Sequence, residues 1–443
     1  MIRLPQDVRF IIQKLEEAGY EAYAVGGCIR DCLLSRTPGD YDVTTSAVPA
    51  EVKRIFRRTF DTGIEHGTVT VLLKGGAYEV TTFRIDGKYE DSRHPSGVSF
   101  TTSLEEDLLR RDFTINAMAF NEKNGLADPF DGQKDLKDGI IRCVGDPYQR
   151  FSEDALRMMR AVRFAAQLGF TIEENTKAAI RELSPTLRKV SAERIQTELV
   201  KLITSDHPEE LATAYELGLT AVFMPEFDRL MGCPQNNPHH CYDVGTHTIE
   251  TLKQVENDRI LRLGALFHDF GKPHTKTTDK DGIDHFHGHP AVSGKLAKEI
   301  LRRLKFDNAT IDLVSRLALY HDNHIERGKK NMRRAMAAMG EDLFPLVLRL
   351  QRADVLAQSD YKRERKLDRL DENEKDYAGV LKEGECFSLK DLAVKGKDLM
   401  EIGYQAGPGL GKELSVLLDL VIEEPSFNER ETLLQLAKKH LLR

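Results

Sequence analysis

Apolar residues Val8, Ile11, Ile12 and Leu15 recur at helical spacing within residues 5–18, so an amphipathic helix is expected to open the chain. The period then shortens. Ala22–Val25 is a brief apolar run that reads as a strand, Gly26-Gly27 interrupts it, and a helix opens from Ile29. Gly39–Thr44 reads as a second strand, Pro49–Phe60 as a helix, and Thr68–Leu73 with Tyr78–Ile85 as a hairpin around Lys74-Gly75-Gly76-Ala77. Further along, helical spacing dominates, from the Arg150–Phe170 stretch through the helix opened by Ser191 to His207–Phe227, and Pro234–Pro238 marks a linker. Strands followed by runs of helices predict an α+β fold, a mixed sheet with helices in front of an all-α remainder.

The chain's 443 residues exceed one core, and about three to four domains are expected. A 40% hydrophobic and 30% charged composition is that of a soluble globular protein. No apolar run reaches the ~18 residues needed to cross a membrane, and Asp7, Glu16 and Glu17 exclude a signal peptide at the start. The six cysteines are scattered without Cys-x-x-Cys, so neither a zinc ribbon nor a disulfide framework is indicated and the cytoplasm is the expected compartment. A net charge of −7 argues against broad nucleic-acid binding while allowing a local basic groove.

Chemistry concentrates between Val25 and Thr44. Asp40 and Asp42 are two apart on the expected strand, which aims both carboxylates the same way. Paired carboxylates repel unless a cation lies between them, and hard oxygen ligands beside substrate phosphates favour Mg²⁺. Gly26 and Gly27 let backbone N–H groups approach an anion at a helix start. A phosphate cradle beside a metal-binding carboxylate pair is the chemistry of nucleotidyl transfer. Glu79, on the hairpin, is a candidate third carboxylate or an exposed strand residue.

Gly26-Gly27-Cys28-Ile29-Arg30-Asp31 followed by Asp40-Tyr41-Asp42 resembles the head signature of the bacterial class II tRNA nucleotidyltransferase and poly(A) polymerase family, within the polymerase-β-like superfamily. The resemblance runs over nearly the whole chain. Arg84–Ser99, polar and marked by Gly and Pro, reads as a mobile loop; in the family a similar loop helps the pocket change from CTP to ATP. Arg110-Arg111-Asp112, with Asn116 close behind, matches the second family motif, where guanidinium forks suit triphosphate oxygens. Ala117-Met118 and Thr62–Thr68 resemble the CCA-adding branch, and Asp128–Gly132, ahead of Asp135, a hinge-like third motif. Arg157, Arg160 and Arg163 stripe one helix side, with Asp154 one turn earlier. The resemblance implies that Asp154 and Arg157 read the Watson–Crick edge of the base, since cytosine and adenine both offer an amine next to a ring acceptor. It also implies that Arg160 and Arg163 hold phosphates. Ser191 and Arg194 match a fifth motif, expected to brace the neck.

The segment beyond residue 236 changes character. His247, His268-Asp269 heading Phe270-Gly271-Lys272-Pro273, His289, His321 and Asp354 lie on successive expected helices, which is how helical bundles build metal sites. In this order they resemble the HD phosphohydrolase superfamily in its two-metal form, or a residual fold used structurally. The ligand set would accept Mg²⁺, Mn²⁺, Fe, Ni²⁺ or Co²⁺. Tyr361–Arg369 reads as a charged helix, solvated or in contact with RNA. Gly407–Lys412 is one residue short of a phosphate-binding loop, and Glu413 stands where Ser or Thr belongs; it resembles instead the family's tail, a Gly-Pro turn opening a helix.

The expected organisation is a nucleotidyltransferase head (1–140), a helical neck and body (141–235), an HD-type domain (236–375) and a helical tail that contacts tRNA (376–443). The expected activity is template-independent addition of C, C and A to tRNA from CTP and ATP. CC-only or A-only addition, poly(A) synthesis, and a phosphohydrolase with an RNA-binding head are the alternatives; a homodimer stays open.

Overall fold

The computed structural model describes residues 2–86 and 98–442. Two compact units emerge, Met1–Asp228 and Arg229–Arg443.

The first unit is built on a mixed sheet. Its strands are β1 (Ala22–Val25), β2 (Asp42–Thr45), β3 (Thr59–Gly63), β4 (Thr68–Leu73) and β5 (Gly76–Thr82). Strands β6 (Arg84–Asp86) and β7 (Val98–Phe100) form a separate antiparallel pair, and β8 (Ala119–Asn121) and β9 (Gly125–Ala127) complete the main sheet. The order is β3-β4-β5-β2-β1-β8-β9. Its one parallel pairing, β2 with β5, sets Val43 against Val80. Antiparallel pairing of β1 with β2 sets Val25 opposite Asp42, which brings the Gly26-Gly27 turn and the start of the carboxylate strand to the same end of two central strands.

Helix α1 (Gln6–Glu17) buries Val8, Ile11, Ile12 and Leu15, the four residues whose spacing predicts it. Helix α2 (Gly27–Leu33) follows β1 directly. The expected helix from Pro49 to Phe60 is shorter: α3 (Pro49–Ile55) stops and Thr59–Gly63 becomes edge strand β3. There, pairing of Thr59 with Val71 and Phe60 with Thr70 favours β-branched and aromatic residues in an extended chain. Strand β2 also starts later than expected, so Asp40 lies in the segment leading into it. The expected second hairpin strand divides at Phe83 into β5 and β6. Most of the expected Arg84–Ser99 loop lies outside the described residues.

Helices α4 (Leu104–Leu109), α5 (Gly132–Asp138) and α6 (Pro147–Glu153) lead from the sheet to α7 (Leu156–Leu168), α8 (Glu174–Leu183) and α9 (Ala192–Ile203). Helix α7 is buried on most sides: Met158, Met159, Ala161, Val162 and Ala165 exclude solvent completely. Three short helices, α10 (Leu211–Glu216), α11 (Thr220–Phe223) and α12 (Pro225–Asp228), close the unit.

The second unit is helical. It comprises α13 (Val244–Gln254), α14 (Arg259–Phe267), α15 (Lys272–Thr275), α16 (His289–Arg303), α17 (Asn308–Tyr320), α18 (Lys329–Met339), α19 (Phe344–Ala357) and α20 (Arg363–Glu383). A last group, α21 (Gly396–Glu401), α22 (Pro408–Glu423) and α23 (Arg430–Leu441), shares its own cluster around Val394, Leu399, Leu417, Val421 and Leu433. Pro408 opens α22, and Glu413 on it accepts a hydrogen bond from His440 Nδ1 at 2.8 Å. Among the described residues no helix is long and apolar enough to cross a membrane.

Candidate functional site

Asp42 stands at the start of β2, and the parallel register that pairs Val43 with Val80 puts Glu79 beside it, one step earlier. Both residues, like Asp40, are exposed to solvent. Asp42 is enclosed on its protein side, and that loss of hydration, with the nearby Asp40 and Glu79 charges, pushes its carboxyl up to about 6; Arg111 pulls the other way. A group raised in this way by like charges is one that a divalent cation would relieve.

The facing wall carries arginines. Gly26 has φ +83°, which favours glycine, and a Cβ there would press on Arg111 Nη1 at 3.0 Å, so a side chain would shift the guanidinium. Asp107, fully buried on α4, orients that guanidinium: it accepts from Arg110 Nη2 at 2.8 Å, Arg111 Nη2 at 3.5 Å and Thr44 Oγ1 at 3.0 Å. Arg111 Nε is buried without a hydrogen-bond partner. A buried donor left open beside three carboxylates fits a site for a phosphate with its cation. The carboxylate donors are hard oxygens, the kind that suit Mg²⁺.

A second chain of contacts joins α2 to α7. Arg30 Nη1 donates to Asn116 Oδ1 at 2.8 Å, Asn116 Nδ2 donates to Asp112 Oδ1 at 3.1 Å, and Arg160 donates to Asp112 Oδ2 at 2.5 and 2.8 Å. Burial works against the Asp112 carboxylate, but Arg160 and Asn116 hold it well below the usual carboxylate range. Arg30, Arg160 and Arg163 surround the Phe164 ring at 5.1, 5.3 and 3.8 Å. Arg163, however, is matched within the protein, by Glu198 at 2.6 Å and Gln167 at 2.9 Å, and is buried.

The residues expected to read the base are also engaged. Asp154 forms a two-pronged pair with Arg194, at 2.8 and 3.3 Å. Arg157 donates to Glu153 Oε2 at 2.9 Å and to the Arg150 and Arg110 carbonyls at 3.1 and 2.8 Å. The other Glu153 oxygen accepts from Arg150 at 2.7 Å. The reading from sequence missed Glu153 and Asp107, although Asp107 stands three and four residues before Arg110 and Arg111 and Glu153 stands three after Arg150 and four before Arg157, the helical ion-pair spacing. It placed Arg194 only as a brace for the neck; its partner Asp154 is 40 residues away and could not be read from spacing.

The second unit brings all six expected ligands together. His247, His268 and Asp354 form one group of converging ligand atoms, and Asp269, His289 and His321 another. His268, His289 and His321 each have Nδ1 at 2.7–2.8 Å from the carbonyl three residues earlier, which makes Nδ1 the donor and leaves Nε2 an acceptor in the neutral ring. Yet Nε2 of His289 and His321 are 3.2 Å apart, and those of His268 and His247 are 3.4 Å apart. Asp269 spans the two pairs, with Oδ1 3.3 Å from His289 and Oδ2 3.1 Å from His268. The facing lone pairs of His289 and His321 need a proton or a cation between them, whereas His247 Nε2, 2.9 Å from Asp354 Oδ1, can donate to that carboxylate. Lys272 Nζ, 2.7 Å from Asp269 and 2.6 Å from Gln235, and the half-buried His240, pushed down to about 2 chiefly by loss of hydration, are further cavity residues that sequence reasoning did not single out.

A cradle of carboxylates and arginines on a mixed sheet defines a nucleotidyltransferase head, and residues 22–142 match the Poly A polymerase head domain family. Residues 169–231 match a family described as a probable RNA and SrmB-binding site of polymerase A, and residues 287–437 match tRNA nucleotidyltransferase domain 2. The chain is 38% identical over 433 residues to the CCA-adding enzyme of Levilactobacillus brevis, covering 97% of both chains. It is also 38% identical to that of Limosilactobacillus fermentum, covering 98% of this chain and 96% of the relative. The crystal structure of the Bacillus stearothermophilus CCA-adding enzyme in complex with CTP superposes with a TM-score of 0.72 at 30% identity, covering 99% of this chain and 98% of that one. The chain belongs to the family of CCA-adding enzymes, which are nucleotidyltransferases. None of these comparisons shows the fused HD domain expected from the sequence.

Proposed function

We propose that the protein adds C, C and A to the 3′ end of tRNA from CTP and ATP, without a nucleic-acid template and with release of pyrophosphate, in the cytoplasm. The observation that carries this reading is the convergence of Asp42, Glu79 and Arg111 across Gly26. Asp40 and Asp42 would hold Mg²⁺, which when bound offsets triphosphate charge and favours the ionised 3′-hydroxyl. Arg111, and Arg30 held by Asn116, supply the guanidinium forks for the triphosphate. Gly26 and Gly27 let it approach, and Asp112 anchors Arg160 beside it. Asp154 and Arg157 would meet the base edge, with Arg194 and Glu153 fixing their orientation. The protein would be organised as a nucleotidyltransferase head (1–140), a helical neck and body (141–235), an HD-type domain (236–375) and a helical tail on tRNA (376–443). Incubating the protein with tRNA ending before CCA and each labelled nucleotide in turn tests it: C and A incorporated in order support it. C alone, A alone or a long A tract would assign instead a CC-adding, an A-adding or a poly(A) enzyme.

A second reading concerns the second unit, and the facing Nε2 pairs bridged by Asp269 favour it. We propose that these six residues hold two divalent ions and hydrolyse a phosphate ester, as an HD-type centre would. Elemental analysis of the purified protein and hydrolysis of p-nitrophenyl phosphate with Mn²⁺, Co²⁺ or Ni²⁺ test it. If neither metal nor hydrolysis is found, the segment is structural.

A further inference from the structure

We infer that one face of α20 is a phosphate rail leading into the His/Asp cavity, so that this site takes the terminal phosphomonoester of a single-stranded oligonucleotide in preference to a mononucleotide. The inference rests on the hydrolytic reading of that centre.

Arg365, Lys366 and Arg369 fall on one side of α20, and Lys362, in a left-handed conformation just before its first residue, continues the cationic stripe. All four line the cavity of about 830 Å³ that also holds Asp269, His289, His321 and Asp354. From Arg365 to Arg369 the stripe covers ~6 Å of helix, and Lys362 extends it past the helix start, more than a single phosphate at the metal ligands could occupy. Its charge is available. Among the described residues the Arg365 and Arg369 side chains have neither an ion pair nor a hydrogen bond, whereas Arg363 is paired with Asp360 and Arg327 with Glu372. Two acids of α20, Asp371 and Glu374, are drawn off elsewhere, meeting Arg352 at 2.6 and 3.0 Å. In a chain of net charge −7, four cations gathered on the wall of one cavity mark a polyanion's path.

The rail connects with the ligands. Lys366 Nζ donates to Gln358 Oε1, and Gln358 Nε2 donates to Asp354 Oδ1 at 3.0 Å. Another part of the lining carries His285 and His287, whose rings lie parallel, 6° apart in tilt with centroids at 5.5 Å. Parallel rings in the same cavity as a cationic stripe provide what single-stranded nucleic acid needs, a stacking surface and a backbone groove. A simple phosphate ester would use the metal ligands and neither of these features. In the reaction, water adds to phosphorus and the P–O bond to the sugar breaks. The water oxygen stays on the phosphate, and its proton goes to the departing hydroxyl.

The full-length protein, loaded with Mn²⁺, is assayed on 3′- and 5′-phosphorylated pentanucleotides, on 3′- and 5′-AMP, and on p-nitrophenyl phosphate. The kcat/KM ratio of pentanucleotide to mononucleotide is expected to be roughly ten or more for at least one end, falling towards one with rising salt. In Arg365→Ala/Arg369→Ala the ratio should collapse towards one, mainly through KM, and Arg365→Lys/Arg369→Lys should keep most of it. Both residues are on the open side of a helix, and circular dichroism checks the fold. A ratio near one in the wild type, or one that the alanine pair leaves unchanged, overturns the rail while p-nitrophenyl phosphate hydrolysis upholds the centre. If none of the five substrates is hydrolysed, the rail and the hydrolytic reading both fall.

Discussion

Arg111 occupies the space that a side chain at residue 26 would need, with Nη1 3.0 Å from where a Cβ on Gly26 would be. The glycine and the arginine are far apart in sequence and were expected to serve the same triphosphate for separate reasons. Their contact makes them one device, held from behind by Asp107.

Gly26→Ala should therefore cost ~1–3 kcal/mol of stability through strain at φ +83°, and displace Arg111. Asp107→Asn should leave the backbone alone and weaken the hold on Arg110 and Arg111. Thermal melts separate the two, whereas CTP binding by titration calorimetry should weaken in both. Unchanged CTP affinity in Asp107→Asn would show that its buried carboxylate does not position the phosphate site.

Asp40→Asn and Asp42→Asn should each reduce nucleotide addition by more than ~100-fold, in line with loss of electrostatic stabilisation at a metal-bound transition state, while tRNA binding by filter assay stays close to wild type. Addition within ten-fold of wild type would remove the pair from the mechanism.

Asp42 also sets a pH dependence. Its carboxyl is raised from the ordinary 3.8 to about 6, so the folded metal-free protein favours the protonated form. Asp42's contribution to stability is thus full below the unfolded value and lost as pH rises through about 6. A bound cation removes that loss. Mg²⁺ should raise the melting temperature more at pH 7 than at pH 5, and Asp42→Asn should abolish the difference. Equal shifts at both pH values in the wild type would contradict it.

Glu153 and Arg194 are expected to act through their partners. Glu153→Ala frees Arg157, and Arg194→Ala frees Asp154, so both should lower discrimination against UTP and GTP by roughly ten-fold, the worth of one charge-assisted hydrogen bond. Asp154→Ala should do at least as much. Misincorporation assays on tRNA lacking CCA decide it, and full selectivity retained in Asp154→Ala would end the idea of a protein template.

His268→Ala/Asp269→Ala should leave CCA addition in Mg²⁺ nearly unchanged, because its ligands and the head carboxylates belong to different compact units. It should also abolish transition-metal retention. Loss of addition in a variant still folded by circular dichroism would tie the second unit to the transferase site.

Much of this could be read along the chain because it depends on local period and spacing. The four apolar positions of α1, the Gly26-Gly27 break and the order of the six ligands from His247 to Asp354 are properties of neighbouring residues and of motif order. Other features exist only after distant segments pair. The end of α3 was misjudged because β3 owes its extended form to hydrogen bonds with β4, which helical propensity cannot register. Glu79 stands beside Asp42 through a parallel register that no turn specifies. The bridging of two histidine pairs by Asp269 likewise needs four helices in place. Sequence decided which side chains were on hand. Tertiary structure decided which charges were left for a ligand, since Arg163 found Glu198 while Arg111 Nε found no partner, and the cost of burying a charge depends on what lies next to it in space rather than in sequence.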